Sequence, residues 1–176
     1  MTNPNVTRWI GSVERLRLEQ QSKRPFHQDR DQFYRVHPPM STENWKQLQQ
    51  FFDKRTEIEN ERFMLREKEK KLVDEFDVLN HRLKQVEERE VSTVEDEMKK
   101  NEEIKAINEE IEKVEEKMMK IREELHKKEE EIDRANEKIN EMIEIVLQDE
   151  HKLNQQEDKL EREENKKKAD YLKKML

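Results

Sequence analysis

Cysteine is missing from this chain of 176 residues. Disulfides, a thiol nucleophile and Cys-ligated metal are therefore excluded, and a reducing compartment is the natural fit. Glycine occurs once, at Gly11, so a glycine-rich phosphate loop cannot be built. Proline is confined to Pro4, Pro25, Pro38 and Pro39, and nothing after Pro39 is a strong helix breaker. Hydrophobic residues make up only 31% and aromatics 6%. A conventional globular core draws on roughly half the chain. No apolar run approaches the ~18 residues of a membrane-crossing helix, and residues 1–24 hold no signal-peptide core. The Asn5-Val6-Thr7 sequon is taken as chance without a secretory signal. No membrane partner is expected.

Charge is what the chain has in abundance: 46% of residues are Asp, Glu, Lys or Arg, with a net charge of −7. Residues 1–44 hold seven Lys/Arg against five Asp/Glu, a balance of +2, which leaves −9 for the remainder. An acidic body is a poor partner for phosphate backbones, so no nucleic acid is expected.

Such composition fits either disorder or a long helix. Periodicity decides for helix. Ile104, Ile107, Ile111, Val114, Met118, Ile121, Leu125, Ile132, Ala135, Ile139, Met142, Val146, Leu153 and Leu160 recur at spacings of three and four or their sum, one heptad. That is the apolar seam of a coiled coil. An earlier seam runs Phe51, Ile58, Leu65, Leu72, Leu79 and Val86. Its alternate positions include Arg55, Arg62 and Glu69, and polar groups there trade stability for choice of partner or register. The predicted fold class is all-α: a long coiled-coil rod, continuous or with a hairpin near 91–100, preceded by a largely extended leader.

Taken in order, residues 1–40 form the leader. Trp9, Val13 and Leu16 share one face of a short amphipathic helix, which needs docking to be stable. Residues 25–40, bracketed by proline, read as an extended docking peptide in which Phe26, Phe33, Tyr34 and Arg35 are the residue types that dominate binding hot spots. A leader whose aromatics are incidental is the plain alternative. Residues 41–90 carry the first coiled-coil segment, opened by Ser41-Thr42 as an N-cap.

Residues 91–103 are a weak seam or a turn. Leu48 and Ile104 stand eight whole heptads apart, which favours one continuous helix. Ser92-Thr93-Val94-Glu95-Asp96 resembles a helix start, and a hairpin would pair Val86 with Ile104 and Arg89 with Glu103, although it would also set Arg62 against Lys128. On balance the sequence favours continuity. Residues 104–162 form the second segment. Residues 142–147 broaden its stripe, which slightly favours a locally thick two-helix seam over room for a third helix or another protein. Residues 163–176 form a charged helical tail.

Like-charged pairs such as Glu110–Glu115 and Lys117–Arg122 disfavour a parallel homodimer in the second segment, so a heteromeric or lattice-bound arrangement is expected. No enzyme and no cofactor are expected. Glu123-x-x-His126 has di-iron spacing, but no second such motif exists, and His126 falls on the solvent side of the seam.

Phe51-Phe52-Asp53-Lys54-Arg55-Thr56-Glu57-Ile58, followed by Leu65, Lys68 and Leu72, resembles the start of the coiled-coil domain in linker and structural proteins of ciliary and flagellar axonemes. The likeness covers about 40 residues. It implies a non-catalytic fibrous component bound to microtubules, with tubulin as a candidate partner and a cytoplasmic, cytoskeletal or ciliary location. A rod of about 200 Å would suit such a spacer or staple. The other reading is a soluble homodimeric adaptor that recruits a partner through its N-terminal peptide.

Overall fold

A computed structural model describes residues 24–176. Three helices occur in order: α1 (Arg30–Val36), α2 (Glu43–Glu87) and α3 (Val94–Met175). No strand occurs among the described residues, so the fold is all-α. The chain divides into two compact units, Met1–Lys54 with Asp133–Leu176, and Arg55–Ile132. The predicted docking residues Trp9, Val13 and Leu16 lie outside the described residues.

In the first unit, the leader is not extended throughout. Asp29 caps α1, its carboxylate accepting from the Gln32 N–H at 3.0 Å. This satisfies one of the free donors at a helix start and lets seven residues coil. Pro38 and Pro39 then forbid continuation. The helix survives because it is docked. Phe33 packs with Trp45, Leu48 and Phe52 of α2 and with Ile139, Met142 and Val146 of α3. Ile143 and Leu147, which broaden the stripe, pack against the same core. The third helix admitted by that broad stripe is the chain's own α1.

In the second unit, α2 ends at Glu87 and α3 begins at Val94, so the continuous helix favoured by heptad phase is not what forms. The turn is fixed by local chemistry. The Thr93 hydroxyl accepts from the Asp96 N–H at 3.2 Å, and its carbonyl accepts from Glu97 N–H. Glu95, Asp96 and Glu97 place negative charge in the first turn of α3, where the helix dipole favours it. Lys100 Nζ donates to the Arg89 carbonyl at 3.0 Å, tying the turn to the new helix. Eight preserved heptads were therefore coincidence, and the capping signature at Thr93 carried the information.

Beyond the turn, α2 and α3 pack antiparallel within this unit. Val86, Ile107 and Ile111 are buried together, with Phe76, Leu79, Leu83 and Ile104 against them. Ion pairs follow the same order. Arg89 meets Glu103 at 2.9 Å, Glu69 meets Arg122 at 3.9 Å, and Arg62 meets Glu129 at 3.1 Å. The clash foreseen between Arg62 and Lys128 is avoided because each side chain reaches one step sideways: Lys128 pairs with Glu61 and with Glu131. Arg55, the first charged seam residue, is 5% exposed and engages Glu59 on its own helix.

Candidate interaction surfaces

The first unit holds a cluster of aromatics. Phe33 lies 5.9 Å from Trp45 and 6.5 Å from Phe52, and Tyr34 meets Phe52 edge-on at 5.7 Å. Such pairs contribute about 0.5–1.5 kcal/mol beyond their burial. Polar groups fasten the rim. Arg30 pairs with Asp53 at 2.6 Å, and its guanidinium carbon lies 5.8 Å from the Tyr34 ring centre. His37 Nδ1 is 2.9 Å from the Glu150 carboxylate, and Asn44 donates to Asp149 at 2.7 Å. Asn140 donates to the Phe26 carbonyl at 2.9 Å. These contacts run up α3 in register with the leader.

The predicted docking residues separate accordingly. Phe33 is 6% exposed and Tyr34 half-buried, so their rings serve the chain's own core instead of an outside groove. The aromatic pattern was real, but its partners are the chain's own Trp45 and Phe52 on α2 and Ile139, Met142 and Val146 on α3. Phe26 and Arg35 remain exposed, as does Val36, so what the leader offers outward is smaller than the sequence suggested. Burial pushes the Tyr34 phenol above its usual range, with the Arg30 charge opposing and Asp53 assisting.

Along the seam, Ile58, Val86, Ile107, Ile111, Val114, Met118, Ile132, Ile139 and Val146 are buried. Phe51, Leu65, Leu72, Leu79, Ile104, Ile121, Leu125 and Leu153 are half-buried. Sequence reasoning missed Phe52 and Asn136, at 1% and 4% exposure. Both sit one step off the ideal stripe. The doubled Phe51-Phe52 was the available signal, since one ring of an adjacent pair must leave a two-helix seam.

The outer faces are charged. Lys128 is held above the usual lysine range, first by its hydrogen bond to Glu61 and then by Glu131. His126 lies on the surface beside Glu130 at 3.1 Å. Residues 154–175 of α3 are exposed throughout, including Leu160, Tyr171, Leu172 and Met175. No helix among the described residues is long and apolar enough to cross a membrane. Compared with protein-family models, curated proteins and solved structures, the chain matches none of them.

Proposed function

We propose that this chain is a non-catalytic coiled-coil component, a spacer or staple in a cytoskeletal assembly of microtubule or axonemal type, held there by its N-terminal leader. One observation carries the reading. In the second unit the apolar seam is closed within the chain, and cross-helix ion pairs line its edges. What such a surface presents to a partner is charge at fixed spacing, which suits repeated contact with a lattice. Paired helices also resist bending, as a spacer requires. The microtubule assignment rests on the resemblance that opens at Phe51. Co-sedimentation of the purified chain with taxol-stabilised microtubules tests it. Saturable binding that falls with salt supports it, and full recovery in the supernatant overturns it.

A second reading, a homodimeric adaptor that recruits a partner through the leader, is favoured by the exposed apolar residues between Leu160 and Met175. It requires a contact between copies that the seam, already closed, does not supply.

A further inference from the structure

Two features of α3 coincide past residue 153. The helix continues without a neighbour among the described residues, and every residue from 154 to 176 is exposed. Such a stretch is marginal alone in water. Yet it keeps an apolar stripe. Leu153, Leu160, Tyr171 and Met175 fall within a sector of about 60° of the helix, because 18 residues make five whole turns, and Glu157 and Glu164 interrupt the stripe within that sector. Leu160, Tyr171 and Met175 are 61%, 62% and 69% exposed.

Charge along the stretch is divided into blocks. Residues 157–164 hold five acids against two bases, a balance of −3, whereas 166–174 hold five lysines against Asp170, a balance of +4. The blocks are of similar length and adjoin.

We propose that this segment pairs antiparallel with the same segment of a second copy of the chain. Parallel in-register pairing would lay acid on acid and lysine on lysine. Antiparallel pairing lays each block on its opposite. Setting Leu160 against the partner's Tyr171 sets Glu157 against Lys174 and Glu164 against Lys167, the glutamates within the stripe and the lysines at its edge. The same register leaves one like-charged pair, Glu161 with Asp170. The complementarity is internal to the segment, which is why a second copy is a better occupant than an unrelated acidic or basic protein. The inference stands whichever assembly the chain serves, and it locates the contact that the homodimeric reading needs.

Sedimentation equilibrium of the full chain at 0.15 M salt should show a dimer. The variant Lys167→Glu/Lys168→Glu/Lys174→Glu should weaken it at least ~30-fold, as should Glu157→Lys/Glu161→Lys/Glu164→Lys, since each makes both blocks alike. An equimolar mixture of the two should dimerise again. All six positions are exposed, and circular dichroism checks that helix content is kept. Orientation is read by cysteines, which the chain lacks. Under oxidised glutathione, Leu160→Cys and Tyr171→Cys should form a disulfide when mixed but neither alone. Disulfides from each variant alone would establish a parallel pair and overturn the inference. A monomeric wild-type chain would overturn it as well, while leaving microtubule binding to stand or fall on its own assay.

Discussion

Replacing Ile139 by alanine should cost about 3–4 kcal/mol. Ile139 is completely buried, among Phe33, Trp45, Leu48 and Phe52. The substitution removes three carbons, worth roughly 0.8 kcal/mol each in lost transfer energy, or about 2.4 kcal/mol. A cavity contribution adds to this, because the rings of Phe33, Trp45 and Phe52 cannot flex inward to fill the space. Full burial means that no discount for solvent applies. The assay is urea unfolding followed by fluorescence in a Trp9→Phe background, where Trp45, itself 1% exposed, is the only indole left. The comparison is Val36→Ala, in the same unit but 71% exposed, which should lose no more than about 0.5 kcal/mol. A loss below about 1 kcal/mol for Ile139→Ala, or equal losses for both, would refute the claim that α1, α2 and α3 share one packed core.

Thr93→Ala should destabilise the α2–α3 hairpin by about 1 kcal/mol in urea unfolding, with Thr93→Asp recovering most of it, since a side-chain acceptor at the N-cap is what matters. Glu129→Gln removes the charge shared by Arg62 and Arg66, and should cost no more than about 1 kcal/mol, an effect that shrinks in 1 M salt because the groups are partly exposed. Tyr34 and Lys128 both have folded pKa values above their unfolded ones, so both hold on to a proton that the unfolded chain releases. Their stabilisation is complete below about pH 10 and is lost as pH rises through the folded pKa values, which thermal melts between pH 8 and 11.5 would follow. Tyr34→Phe should leave stability at pH 7 unchanged or slightly raised, because the buried hydroxyl has no hydrogen-bond partner among the described residues, and should remove the late phenolate phase at 295 nm.

Periodicity made the helices and their inward faces legible, since spacings of three and four need no tertiary knowledge. It could not tell which helix the seam would meet. Phase preserved over Leu48 to Ile104 pointed to continuity, while the energy of the turn resides in a few polar contacts at Arg89, Thr93 and Lys100, which periodicity does not register. The leader was misread for a related reason. Phe33 and Tyr34 are attached to a seven-residue helix too short to declare itself, and that helix is held by packing on side chains of α2 and of α3. Among the surface residues, the exposed stripe in the last part of α3 could not be told from a frayed end by sequence alone.

The turn at residues 88–93 also sets an order of events in time. Arg89 and Glu103 are only 14 positions apart, so loop closure there is inexpensive and fast, and the pairing can zip away from the turn. His37 and Glu150 are separated by 113 positions. During synthesis, Phe33, Trp45 and Phe52 leave the ribosome long before Ile139 or Val146 exists to cover them. At about 5–20 residues per second, the interval lasts roughly 5–20 s. The aromatic part of a very polar chain is thus the part that waits longest, and it is there, in the segment that has already emerged from the ribosome, that a chaperone would find its work.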